Sequence, residues 1–230
     1  MSTIDASALL RSGLLEGVSI LLAGASSGGR ADAGGSLGDG VRLACAGLGA
    51  RVCELSLDVS REHDEAGIER AAQAALERAL GDGGTVEMLV VDCGSVFAQA
   101  GAGASEAGGG AEAAREALRA CLDVAWNVTR VVVSSAFLPQ ERGRVVYLAP
   151  PADGGEHADA ACAGLENLAR TLSIEWARYG VTPVTIAPGA STRDEMAALT
   201  AYLASPAGAY FSGCLWDLRG TFPASPPIPT

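Results

Sequence analysis

The chain has 230 residues, 49% of them apolar and 5% aromatic, with a net charge of −11 and a pI near 4.6. That length suits a single sizeable core, and the acidity argues against nucleic acid and anionic membrane surfaces as partners, because no basic stripe exists to neutralise phosphates. All 16 basic residues counted as Lys or Arg are arginine; the chain contains no lysine.

Taken in chain order, residues 18–23 form a short apolar run ending at Gly24, the pattern of a buried parallel strand. A glycine-rich stretch follows to Gly40, then a helical pattern over 41–48 that Gly49 stops. Residues 51–59 read as a second strand, and Ser60 is placed to cap a helix carrying Ile68, Ala72, Ala75, Leu76 and Ala79 at helical spacing. The run 86–91 is another buried strand. Residues 98–112 are mostly Gly and Ala and read as a flexible loop.

A long helix is predicted over 113–137, with Leu118, Cys121, Leu122, Ala125 and Val128 on one face. A strand at 143–148, a helix at 160–179 closed by Gly180, and a strand at 181–187 come next. Thr192-x-x-Glu195 is a capping box opening the last helix, and 213–218 makes the final strand before a Pro-rich tail at 223–230. Strands alternating with helices imply an α/β, doubly wound parallel sheet with helices on both faces, and no linker divides it, so 1–222 reads as one Rossmann-like domain.

The six cysteines (Cys45, Cys53, Cys93, Cys121, Cys162 and Cys214) show no C-x-x-C pair or zinc-like spacing, so no metal is expected. The first 16 residues lack the basic start and apolar core of a signal peptide, and no uncharged apolar run reaches the roughly 18 residues that span a bilayer. Reduced thiols without an export signal point to the cytoplasm. Asn127-Val-Thr129 fits a glycosylation sequon, which in such a setting is a chance match.

The segments Ala163-Gly-Leu-Glu-Asn-Leu-Ala-Arg-Thr-Leu-Ser-Ile-Glu-Trp-Ala-Arg-Tyr-Gly-Val181 and Ile186-Ala-Pro-Gly189, then Ala197-Ala-Leu-Thr-Ala-Tyr-Leu-Ala-Ser-Pro206 leading to Tyr210-Phe-Ser-Gly213, stand in an order that resembles the short-chain dehydrogenase/reductase family. The resemblance covers roughly residues 13–220. It implies NAD(P)-dependent hydride transfer, in which a Tyr donates or accepts a proton, a Lys one turn later lowers its pKa, and a Ser orients the substrate. At the matching positions this sequence carries Ala158, Cys162 and Pro150, none of which can perform those roles. Asn127 lies in the helix that supplies the family's catalytic Asn, one turn past the matching position.

The resemblance also locates a cofactor site, and the same departures run through it. Gly24-Ala-Ser-Ser-Gly28-Gly29 begins a phosphate loop but continues into Arg30, while Gly34-Gly-Ser-Leu-Gly38-Asp-Gly40 has the glycine spacing and opens a helix. An insertion over about 28–35 accounts for both registers; Arg30 then stands where phosphates belong, or binds an anion itself. Between 51–59 and the next helix there is no room for the dozen or so residues of a parallel crossover, so the sheet is expected to be one strand and one helix short on the adenosine side. Ser56 replaces the ribose-binding acid, and only Ala190 and Ser191 separate Gly189 from Thr192, where the family has a substrate lid.

These departures lead to an expectation of no catalytic residues and no bound cofactor, with Gly24, Gly38, Asp58, Asp92, Pro188 and Gly189 as the remnants of a pocket. Asp92 reads as a solvated loop acid, with a catalytic carboxylate as the alternative, since strand carboxyl ends face the ligand crevice. His157 and Cys162 sit about 140° apart on a helix, too far round to pair. Trp126, Trp176 and Trp216 read as core or interface anchors. The segments matching the family's oligomer contacts, 113–137, 160–179 and 194–218, are the best preserved. The expected function is therefore association, as a homo-oligomer or with a related dehydrogenase. An NAD(P)-dependent oxidoreductase with a rebuilt site, and a small-molecule binder using the crevice near Asp92, His157 and Pro188, are the alternatives.

Overall fold

In the computed structural model, which describes residues 10–25, 36–59, 64–81, 84–106, 110–189 and 193–220, the apolar runs form strands β1 (Ser19–Ala25), β2 (Arg51–Leu57), β3 (Met88–Asp92), β4 (Gly143–Leu148), β5 (Val181–Ala187) and β6 (Leu215–Asp217). They pair in parallel in the order β2-β1-β3-β4-β5-β6. Strand β2 is thus the edge beside β1, and the helix after it crosses to β3 on the other side of β1, as expected for a sheet shortened at this end.

Side chains alternate across the sheet with the strand period of two. Leu21, Leu89, Val145 and Tyr147 face one core, and Ile20, Met88, Val90, Val146 and Ile186 face the other. On the first face lie helices α2 (Glu65–Leu80), α3 (Cys93–Glu106), α4 (Gly110–Val132) and α5 (Ala158–Glu175). The second face is covered by α1 (Leu37–Gly47) and α6 (Arg193–Ala204), together with Leu15 from the segment before β1. Ile68, Ala72, Ala75, Leu76 and Ala79 form the buried stripe of α2, in keeping with their spacing.

Two sequence expectations need correction, and others fall outside the described residues. Within the segment expected to be a loop, residues 98–106 belong to α3, which extends to Glu106, and 110–112 open α4, which begins at Gly110; 107–109 lie outside the described residues. The alanines favour a helix and the glycines oppose it; small side chains let α3 lie close against α4, where Gly101 faces Ala117, and this packing offsets the cost of the glycines. Helix α2 is capped by Asp64, whose side chain accepts from the Gly67 N–H; Ser60 lies outside the described residues. So do the 28–35 insertion with Arg30, Thr192 of the expected capping box, and the 223–230 tail.

Helix α4 runs on through a π-helical turn, Val133–Phe137, and a last turn, Leu138–Gln140. Residues 110–140 are long and apolar enough to cross a membrane by composition alone, yet the apolar side, including Cys121, Val124, Val128 and Val132, is buried in the first core. Asn127 and Thr129 are buried as well, so the sequon cannot accept a glycan in the folded chain. The added residue of a π turn resets the helix face, and here Phe137 is laid over Gly143 at the start of β4. A Cβ at Gly143 would fall within the Phe137 ring. Gly143→Ala is therefore expected to cost about 3 kcal/mol by overpacking. Adding Phe137→Leu should recover part of that loss in urea denaturation, and strictly additive effects would show that the two residues do not oppose one another.

Candidate functional site at the carboxyl ends of the strands

In an open α/β sheet the crevice for a ligand lies beyond the carboxyl ends of the strands. Here that end is defined by Ala25, Asp92, Pro150, Pro188 and Arg219. Strand β3 is buried along its whole length, and Asp92, its last residue, is 2% exposed. The solvated loop acid expected from sequence is thus corrected: the alternation of β3 turns Asp92 toward the side of the sheet covered by α1.

A buried carboxyl needs donors, and two helix amino-termini supply them. The Gly38 N–H, in the first turn of α1, donates to Asp92 Oδ2 at 2.8 Å, and the Ser95 N–H, in the first turn of α3, donates to Oδ1 at 3.0 Å. Ser95 Oγ in turn donates to the Asp92 carbonyl at 2.8 Å and accepts from the Ala25 N–H at 3.0 Å. Burial pushes the Asp92 carboxyl above its ordinary range, while the bonds from Ser95, Gly38 and Ser36 pull it back only in part.

Glycine makes this approach possible at two positions. Gly24 is the register partner of Asp92, and a Cβ there would lie 3.2 Å from Asp92 Cβ and 3.1 Å from Ser95 Oγ. At Gly38 a Cβ would lie 2.9 Å from Asp92 Oδ2. Three of the six expected pocket residues, Gly24, Gly38 and Asp92, are therefore brought together, against one another. Asp58 is exposed just past β2, and Pro188 is buried just past β5 with Gly189 half-buried beside it. A further glycine, Gly40, leaves room for the stem of Arg193 from α6, whose Cγ would stand 2.9 Å from a Cβ at that position.

On the opposite flank, the three positions matched to the proton relay lie at the end of β4 and the start of α5. Pro150 and Ala158 are buried, and Ala158 offers only a methyl group. Cys162 is 3% exposed, and burial raises its thiol pKa more strongly than the Arg219 guanidinium lowers it. A thiol so placed is protonated at neutral pH and a poor nucleophile. His157 precedes α5 in a left-handed conformation with φ of 72°, makes no side-chain cap bond, and stands near Glu156.

Arg219, just past β6, spans this flank. Its Nε and Nη2 reach the two Asp217 carboxylate oxygens at 2.9 and 3.0 Å, and its Nη1 reaches Asp159 Oδ1 on α5 at 3.0 Å. These bonds hold Asp217 below the usual carboxylate range, and they use the guanidinium within the chain. Among the described residues no group of three or more His, Cys, Asp and Glu could hold a metal ion.

Sequence reading missed Ser36, Ser95, Arg193 and Arg219. Two of them carried a signal. Ser36-x-x-Asp39 is a reciprocal capping box at the start of α1, and Asp92-x-x-Ser95 has the spacing of an N-cap, masked by the assignment of the following residues to a loop. Arg193 carried none, since it meets Gly40 far away in sequence, and Arg219 stands two residues from Asp217 but reaches Asp159 across 60 residues.

No protein-family model and no curated protein sequence matches the chain. Its fold is shared with solved structures at low identity. A hydroxysteroid dehydrogenase from Escherichia coli superposes with a TM-score of 0.66 at 15% identity, covering 91% of this chain and 99% of that one. A double mutant of a Serratia marcescens short-chain dehydrogenase/reductase gives a TM-score of 0.64 at 19% identity, with 91% and 99% coverage. BdcA from E. coli gives 0.63 at 15% identity, with 89% and 100% coverage. The chain thus carries the Rossmann-like fold of short-chain dehydrogenases/reductases over nearly its whole length.

The raised Asp92 carboxyl has a consequence for stability. In the unfolded chain an aspartate gives up its proton near pH ~3.9. In the folded protein Asp92 keeps its proton to higher pH, so its contribution is present below that point and is lost as pH rises through the folded value. Asp92→Asn keeps an acceptor for Gly38 or Ser95 and does not titrate. Urea midpoints measured from about pH 4 to about pH 7 should show the native protein losing stability relative to Asp92→Asn, and parallel profiles would refute the assignment.

Proposed function

We propose that this chain is a dehydrogenase-like protein without dehydrogenase chemistry, acting in the cytoplasm through association with its own copies or with a related dehydrogenase. The observation that carries this reading is the content of the relay positions. Pro150, Ala158 and Cys162 offer no group that can shuttle a proton at neutral pH, and a chain without lysine has no ammonium to replace the missing one. The filling of the crevice end by Asp92 supports it, because a resident carboxyl competes with the phosphates of NAD(P) for the same helix amino-terminus.

Association is supported by the outer surfaces of α4 and α5. These helices pack side by side with Leu122 against Gly164, where a Cβ would lie 2.9 Å from Leu122 Cδ2. Trp126 on α4 is 38% exposed and Ile174 on α5 is 75% exposed. Burial of Ile174 and of the exposed part of Trp126 against a partner would contribute about 25 cal/mol per Å² of apolar surface removed from water. The net charge of −11 sets a repulsive background for self-association, so an interface must rest on such apolar groups and not on general attraction.

Two measurements test the proposal together. Sedimentation equilibrium of the purified chain, with a pull-down from its native cell extract, should find a dimer or larger species or a dehydrogenase-fold partner. Trp126→Glu with Ile174→Glu should return the protein to a monomer with its thermal midpoint retained. A monomer without such a partner would sink the association reading. Titration with NADH and NADPH should show no saturable binding up to about 1 mM; saturation below that would favour an oxidoreductase with a rebuilt site.

A further inference from the structure

The geometry around Asp92 assigns this residue a role beyond a buried structural acid. We infer that Asp92 is an intramolecular latch: its carboxyl group takes the place of an anionic ligand at the amino-termini of α1 and α3 and keeps phosphate-bearing molecules out of the crevice. The inference rests on the reading that no cofactor uses this site, and it names the device that excludes one.

A helix amino-terminus presents N–H groups that have no partner within the helix. Together with the helix dipole they favour an anion, which is why phosphates are bound there. In this fold two such termini converge at the end of β3. Both are engaged by one side chain, with Gly38 N–H on one carboxyl oxygen at 2.8 Å and Ser95 N–H on the other at 3.0 Å. An incoming phosphate would have to displace Asp92 from both.

The glycines give independent support. In a phosphate loop, glycine leaves room for the ligand to approach the backbone. Here the room at Gly38 is taken by Asp92 Oδ2, 2.9 Å from where a Cβ would stand, and the room at Gly40 is taken by the stem of Arg193, at 2.9 and 3.3 Å. The first turn of α1 is therefore closed on two sides by side chains from β3 and α6. Gly24 adds to the enclosure, since a Cβ there would press on Ser95 Oγ at 3.1 Å and Asp92 Cβ at 3.2 Å beside β1.

Amide hydrogen exchange on the full chain tests the latch, with inorganic pyrophosphate as the probe. In the native protein the Gly38 and Ser95 amides should be protected, and pyrophosphate up to about 10 mM should leave their rates unchanged. Asp92→Ser retains a side chain able to cap Ser95, as serine does at this position, but is too short to reach Gly38. It should speed Gly38 exchange about 100-fold, with pyrophosphate restoring protection in a saturable manner. Asp92→Asn keeps the reach but offers a single acceptor oxygen, so one of the two amides, Gly38 or Ser95, should stay protected.

The latch is overturned if the native Gly38 amide exchanges as fast as an exposed one. It is also overturned if folded Asp92→Ser keeps Gly38 protected, or frees it without any response to pyrophosphate. Those results leave the non-catalytic reading standing. Saturable binding of NADH by the native protein is the separate result that would remove that reading.

Discussion

A carboxyl group cut off from water must find hydrogen-bond donors within the protein, and at the end of β3 that demand organises the neighbouring chain. Asp92 draws the first turn of α1 and the first turn of α3 to the same point. Ser95 then ties the arrangement to the last residue of β1 through the Ala25 N–H. The glycine at position 38 follows as a condition, because a Cβ there would stand 2.9 Å from Asp92 Oδ2, and the one at 24 eases a contact that a Cβ would tighten to 3.2 Å. Four elements are thus fixed by one side chain, and replacing it with a group that cannot accept would strand two N–H groups at a cost of about 1–3 kcal/mol each.

The first core depends in a comparable way on α4. Its Thr129 hydroxyl meets the Tyr147 hydroxyl of β4 at 3.0 Å inside the core, and burial raises the Tyr147 phenol well above its ordinary value. Arg130 pairs with Glu65 and Glu69 of α2, and Leu122 fills the space left by Gly164 of α5. Cys121 and Cys93 lie together where α3 meets α4, where burial raises the Cys93 thiol well above its ordinary value. One helix therefore touches the sheet and three neighbouring helices.

Most of the framework was legible in the sequence because it rests on local pattern. The strands at 143–148 and 181–187 agree with β4 and β5 residue for residue, since apolar runs between turn signals leave few alternatives. Gly180 closes the helical segment with φ of 64°, as its position suggested. The helix at 93–106 was not legible, because Gly94, Gly101 and Gly103 read as loop residues and contact with α4 offsets their cost. The crevice was legible only in parts. Gly24, Gly38 and Asp92 could be singled out one at a time, but their mutual contact joins segments 54 residues apart, and no spacing rule encodes it. The arginines show the same limit, since Arg219 meets Asp159 across 60 residues.

The shortened sheet leaves one more mark on the molecule. Among the described residues β2 has a neighbour on one side only, so a row of its backbone groups faces outward. Such an edge can template the addition of a stray strand. Along β2 the exposed positions are Arg51, Glu54 and Ser56, and the first two are engaged: Arg51 with Ser19 Oγ and the Ala79 carbonyl, Glu54 with Arg42 at 3.0 Å. A strand adding to this edge would have to strip water and partners from those charges. The charged, partnered positions along β2 thus guard the edge that the shortened sheet leaves open.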